Sequence, residues 1–244
     1  MRRGLATGHS PEQIAGRLTR EAGRTVISHE SIYRFIYHRS AQKDYWHRLL
    51  PRAKSRRGRY RVQGGSPASF IKHRRPIAER APEADGREQP GHWEADFMLF
   101  AAYGQGILVL HERATRFTLI DHPPHRKAAM TAQRIERQLR DIPKALRRTI
   151  SFDNGTGFAE HHRLHGLGLQ TFFCDVRSPW QKGGVENTIG RLRRYLPRKT
   201  DLDSMSPEQL RDHANRLNDT PRKCLDFQTP AEAFSQISTG APQT

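Results

Sequence analysis

Three acidic residues of this 244-residue chain stand where the surrounding sequence makes a carboxylate conspicuous. Asp96 interrupts the apolar run HWEADFMLF between Ala95 and Phe97. A lone carboxylate buried in such a run is costly unless it is paired, hydrogen-bonded or bound to a metal. Asp153 follows Thr149–Phe152 and precedes Asn154-Gly155, where the chain must turn. Carboxylates at strand ends of an α/β sheet face the crevice in which ligands bind. Glu186 flanks a stripe of Val185, Ile189, Leu192 and Leu196, so on a helix it can point inward while Arg191 and Arg194 stay outside. Three such carboxylates brought together demand cations. Hard oxygen ligands select Mg²⁺ or Mn²⁺, and a pair of these ions suits chemistry at a phosphodiester. Each residue also has a plainer reading: Asp96 as a paired structural Asp, Asp153 as a turn residue, Glu186 as part of a solvated helical face. Spacing alone leaves both readings open.

The elements that must position these residues are legible in outline. His92–Phe100, Ile107–His111 and Arg116–Asp121 read as three consecutive strands, the first two joined by Gly104-Gln105-Gly106. Ala129, Ala132, Ile135 and Leu139 repeat at helical spacing within 126–141. Thr149–Phe152 and Leu169–Phe173 read as short strands separated by a short helix at 158–167. The Glu186 helix follows, with further helices at 206–219 and 230–236. Three strands, then alternating helix and strand, indicate an α/β sheet with helices packed on it. Ahead of this, Ser10-Pro11-Glu12-Gln13 carries a helix start with a capping box, and Ser206-Pro207-Glu208-Gln209 repeats it. Ile14 and Leu18 mark one helix. Gly23 breaks it, and a second begins near Ser28 with Ile32, Phe35 and Ile36 on one face. The pattern fits a helix-turn-helix or a generic helical hairpin. As a helix-turn-helix, its second helix would offer Ser31, Arg34, Tyr37 and His38 to a DNA groove.

Charge favours the DNA reading. The chain carries 42 Lys and Arg against 25 Asp and Glu, a formal +17, and residues 1–90 hold 20 of the basic side chains and 8 of the acidic ones. Such an excess predicts a polyanionic partner, nucleic acid before membrane. The longest apolar stretch, Phe97 to Tyr103, is too short to span a bilayer, and no signal peptide is visible, so a cytoplasmic location is expected. Cys174 and Cys224 are too few for a disulfide framework or a thiolate zinc site and read as buried thiols. His161, His162 and His165 lack accompanying ligands and read as polar residues of a surface helix. Asp175 reads as a loop residue.

The ordered blocks HWEADFM, SFDNGTGFAEH, FFCD, SPWQKGGVEN, GRLRRYLPRKTDL and LNDTPRKCLDFQTPAEAF run through a region from about Ser10 to Phe234. In that region the chain resembles insertion-sequence transposases of the IS-thirty family, within the DDE transposase and retroviral-integrase superfamily. The resemblance implies an RNase H-like integrase catalytic core, a mixed five-stranded sheet with flanking helices, preceded by a small helical helix-turn-helix module. It places an Asp-Asp-Glu triad on Asp96, Asp153 and Glu186, holding two Mg²⁺ ions for which Mn²⁺ can substitute. The 33-residue separation of Asp153 and Glu186 matches the family's pattern. The implied domains are a DNA-binding module at 1–50, a basic linker at 51–90 and a catalytic domain at 91–244.

The implied activity is cleavage of DNA at the ends of an insertion sequence and transfer of the freed strand into target DNA. The expected partners are double-stranded terminal inverted repeats and target DNA, with a homo-oligomer assembled on them. Trp180 would stack on a base and Lys182 would meet phosphate beside Gln181, with Gly183-Gly184 as a hinge. Asn187 lies beside Glu186. Gly190 would allow close approach of DNA, while Arg193 would bind a phosphate oxygen and Arg194 lie on the same basic stretch. Two departures stand out. Gly157 occupies a position where family members often carry Glu, and the chain begins almost directly on the second of the family's amino-terminal motifs. The chain thus reads as a truncated copy, a mis-called start or a shortened variant, and two functional alternatives stand beside the transposase: a non-transposing DNA-binding remnant or repressor, and an RNase H-like nuclease.

Overall fold

A computed structural model describes residues 1–38, 46–50, 71–102, 104–176 and 178–240. These fall into two compact units.

The first unit comprises the described residues of Met1–Gln63 together with Asn218–Ala233. Its helices are α1 (Arg2–Ala6), α2 (Pro11–Ala22) and α3 (His29–Tyr37). The expected capping box is present: Ser10 Oγ accepts from the Gln13 N–H at 3.2 Å, and Gln13 Oε1 accepts from the Ser10 N–H at 2.8 Å. Gly23 ends α2 at φ +66°, a left-handed conformation that glycine adopts without a Cβ penalty. Leu5, Ile14, Ala15, Ile32 and Ile36 form the buried core. The later segment locks onto α2. Arg17 reaches Glu232 through two hydrogen bonds of 2.6 Å, and Gln13 Nε2 donates to the Pro221 carbonyl. Glu232 sits in the first turn of α8 (Pro230–Gly240) and also accepts from the Thr229 N–H, so the clamp and the helix cap share a carboxylate. On α3, Ser31, Arg34, Tyr37 and His38 are all exposed, as the helical periodicity predicts.

The second unit holds a five-stranded mixed sheet in the order β3-β2-β1-β4-β5. The strands are β1 (His92–Leu99), β2 (Gly106–Glu112), β3 (Thr118–Asp121), β4 (Thr149–Phe152) and β5 (Gln170–Phe173). The first three pair antiparallel, as short connections permit, while β1–β4 and β4–β5 are parallel. Alternation along each strand builds two cores. Trp93, Ala95, Leu108, Leu110, Ile150 and Phe152 meet Ile135 and Leu139 of α5 (Ala128–Leu139) on one face. Met98, Phe100, Ile107 and Val109 meet α6 (Gly183–Leu192) and α7 (Pro207–Asn218) on the other. Glu94 and Asp96 share the strand phase of Met98, so both are carried on the α6 face.

The expected boundary at residue 91 is not where this unit begins. Residues 71–90, expected in a basic linker, pack on the sheet: Ile71, Ile77 and Ala84, the last in α4 (Glu83–Gly86), are buried, and Pro76 bridges Phe173. Arg80, buried, donates to Ser151 Oγ, and Arg75 lies over the Phe172 ring. These cations serve as structural groups, which composition could not distinguish from a solvated run. The rest of the expected linker, 51–70, lies outside the described residues. No helix among the described residues is long and apolar enough to cross a membrane.

Candidate catalytic site

Backbone register brings the first two acids together. β1 and β4 are parallel with Glu94 beside Ser151, so two residues further on Asp96 comes level with Asp153. Each aspartate has one oxygen held by backbone: Phe97 N–H donates to Asp96 Oδ1 at 2.8 Å, and Gly155 N–H donates to Asp153 Oδ1 at 2.9 Å. Each Oδ2 is directed at one cation. Lys182 Nζ lies 2.7 Å from Asp96 Oδ2 and 3.3 Å from Asp153 Oδ2. Asn154 is fixed behind the turn by Arg74 and by the Cys174 carbonyl.

The electrostatics follow from burial and proximity. Burial, then repulsion from Asp153, raises the Asp96 pKa, although Lys182 opposes this. Burial acts to lower the Lys182 pKa, but the two carboxylates outweigh it and hold the ammonium charged above the ordinary lysine range. Glu186 is raised by burial and by repulsion from Asp96, Glu94 and Asp153, with Lys182 opposing. Its side chain is exposed on the first turn of α6. Glu186 thus shares the field of the two aspartates. Among the described residues no three His, Cys, Asp or Glu side chains are close enough to enclose a metal ion.

Sequence reasoning missed what anchors α6. Glu94 is fully buried, and its carboxylate accepts the Val185 N–H at 2.8 Å, capping the helix from β1. Arg113 pairs with its other oxygen. His111, opposite Glu94 in the β1–β2 register, hydrogen-bonds Thr188 of α6 at 3.1 Å. The available signal was the spacing of Glu94 and Asp96, two acids on one face of a single strand. Gly184 makes this anchoring possible, since a Cβ there would stand 2.8 Å from both Glu94 Oε2 and His111 Cδ2. The expected hinge at Gly183-Gly184 is instead the first turn of a helix, packed tightly at Gly184. Gly190 faces open space, so it is not required for close contact within the chain.

The other expected residues distribute as follows. Trp180 is 73% exposed and so is not part of the core. Gln181 exchanges two hydrogen bonds with Asp175, giving that loop residue a defined partner. Lys182 is buried between the aspartates. Asn187 and Arg194 are exposed on and just beyond α6. Arg193 is engaged by its own fold, with its guanidinium over the Phe100 ring and a hydrogen bond to the Leu99 carbonyl. Two readings need correction. His161 is buried, bonded to Thr171 Oγ1 and the Lys72 carbonyl, because the short 3-10 helix His161–Leu167 turns it against β5. Cys174 is buried as expected, but Cys224 is exposed.

A cavity of about 260 Å³ opens beside Asp96 and Asp153, with Arg126 and Thr156 in its wall. Gly157 also lines it, and a Cβ there would lie 3.2 Å from the Arg126 carbonyl oxygen. A larger cavity, about 1080 Å³, lies at the opposite strand ends beside His92, Thr149 and Gln170 and contains none of the three acids.

No protein-family model matches the chain. Curated proteins do. The chain is 35% identical over 93% of its length to the transposase for insertion sequence element IS1086 of Cupriavidus metallidurans, covering 69% of that protein. It is 36% identical over 93% of its length to transposase InsI for element IS30A of Escherichia coli K12, covering 61% of that protein. It is 35% identical over 96% of its length to the transposase for element IS4351 of Bacteroides fragilis, covering 71% of it. Identity at this level over nearly the whole chain establishes that the protein belongs to the IS-thirty family of insertion-sequence transposases.

Proposed function

We propose that the chain is a DDE-type transposase, a metal-dependent polynucleotidyl transferase with an RNase H-like core and a helix-turn-helix module containing α2 and α3. One observation carries the reading: Asp96 on β1 and Asp153 just past the end of the adjacent parallel β4 turn one oxygen each toward a single cation. The donor set is all carboxylate oxygen, which suits Mg²⁺ or Mn²⁺, and the Lys182 ammonium is a stand-in positive charge at that point. Asp96 and Asp153 would hold the ions, and Glu186, on the helix that Glu94 ties to β1, would complete the second site. When bound, two Mg²⁺ ions supply charge neutralisation at the scissile phosphate and activation of the attacking oxygen.

The chain's own groups orient the carboxylates. The Phe97 and Gly155 amides fix the orientation of the two aspartates, so their Oδ2 atoms converge without further reorganisation. In the first step water attacks phosphorus at the element end, the P–O3′ bond breaks and the 3′ oxygen leaves as a hydroxyl. In the second, that 3′ hydroxyl attacks a target phosphodiester and displaces its 3′ oxygen. DNA supplies both leaving groups, and no covalent enzyme–DNA bond is formed. Asp96→Ala, Asp153→Ala and Glu186→Ala are each expected to abolish Mg²⁺-dependent cleavage of matching end DNA while retaining DNA binding in a mobility-shift assay. Undiminished cleavage by any of them overturns the triad. Joined products on target DNA separate a transposase from a nuclease or a non-transposing binder.

A further inference from the structure

The Lys182 ammonium occupies the place where a divalent ion would meet the two aspartates. Its side chain is 9% exposed, beside 17% for Asp96 and 41% for Asp153, and its two contacts go to the Oδ2 atoms whose partner oxygens are held by backbone. A buried ammonium is stable only with compensating charge, and two converging carboxylates supply it. The reverse also holds: without a cation, two neighbouring partly buried carboxylates repel each other. A Mg²⁺ ion binds oxygen at about 2.0–2.1 Å, through the same lone pairs that accept from Nζ. Ammonium and metal therefore compete for the same Oδ2 atoms.

The position of Lys182 in the chain makes displacement feasible. It ends the 3-10 turn Pro179–Lys182 and is the N-cap of α6. Its backbone is fixed by the helix, whereas its four-carbon stem carries rotatable bonds, so the ammonium can be relocated by side-chain rotation without moving α6.

We propose that Lys182 is a built-in stand-in cation that holds Asp96 and Asp153 together in the metal-free protein and must withdraw before a divalent ion binds, so that it sets the metal affinity of the site. This rests on the reading of Asp96 and Asp153 as metal ligands.

The test uses the full chain without DNA. Lys182→Met removes the competing charge, and in calorimetric titration with MnCl₂ it should bind about tenfold or more tightly than wild type, since one opposite charge at this range weakens proton binding to a carboxylate by about 10-fold to 1000-fold and a divalent ion competes for the same oxygens. In chelator the same variant should melt lower than wild type, and Mn²⁺ should restore more of its stability than it adds to wild type. Equal or weaker Mn²⁺ binding by Lys182→Met overturns the proposal. Asp96→Asn separates the two levels. If it binds Mn²⁺ like wild type, the metal-ligand reading itself fails. If it loses binding while Lys182→Met gains nothing, only the stand-in role fails. A second measurement needs no variant: amine acylation of wild type, read by peptide mass spectrometry, should spare Lys182 in chelator and label it in Mn²⁺. Unchanged labelling overturns the proposal.

Discussion

His92 shows how a single buried side chain ties this fold to pH. Its ring is enclosed, with Nδ1 2.8 Å from Thr149 Oγ1 and Nε2 2.9 Å from Gln89 Oε1. Burial, then the nearby Arg80, Arg148 and Arg113, pushes its pKa down to about 4 from 6.5. The folded chain therefore binds the proton more weakly than the unfolded chain does. The resulting stability is complete above pH 6.5 and is lost as pH falls from 6.5 through about 4. The loss should approach roughly 3 kcal/mol as an upper bound, and His92→Gln should flatten that part of the profile in urea denaturation. At the same scale, the three acids were legible because each is out of place in an apolar context. Lys182 reads as a phosphate ligand from its place in the loop just ahead of the Glu186 helix. Its partners lie 86 and 29 residues away, and only strand register brings them to it. Glu94 was masked by the more conspicuous Asp96, although its burial is deeper. His161 looked superficial because a polar sequence gives no sign that a 3-10 helix turns one member inward.

At the scale of elements, α6 is anchored to the sheet through its first two turns. Glu94 caps it, Thr188 ties it to His111, and Gly184 supplies the closeness both contacts need. Gly184→Ala should therefore destabilise the protein by about 1–3 kcal/mol through overpacking against two anchored side chains. Gly190→Ala, on the same helix but facing open space, should stabilise it by about 0.5–1 kcal/mol, because alanine loses less conformational freedom in a helix. Thermal melting of the two variants checks the contrast, and equal shifts would contradict this anchoring. The strands and helices were largely readable, because alternation and 3.6-residue spacing are local properties. β1 was expected to end at Phe100 and ends at Leu99, and the other strands deviate by no more than two residues. Residues 71–90 were not readable as part of the sheet unit, since Arg75 and Arg80 earn their places through contacts with Phe172 and Ser151, far off in sequence.

On the whole-molecule scale, the formal charge of +17 serves two units with different tasks under the proposed reading. Arg34 and Tyr37 lie on the exposed face of α3. Replacing both with Ala should weaken binding to matching end DNA about tenfold or more, consistent with about 1–3 kcal/mol for a good base contact. Asp96→Ala should leave the same binding curve nearly unchanged, and fluorescence anisotropy at fixed salt compares them directly. If the double variant binds normally, α3 is not the reading helix. The clamp between Arg17 and Glu232 has a temporal meaning as well. Its two residues are 215 positions apart, so at 5–20 residues per second a ribosome adds Glu232 roughly 10–40 s after Arg17. During that interval α2 has been made but lacks the carboxylate that later grips it. The early part of this unit thus waits for its later part, and its completion reports that the intervening sheet-bearing sequence has already been synthesised.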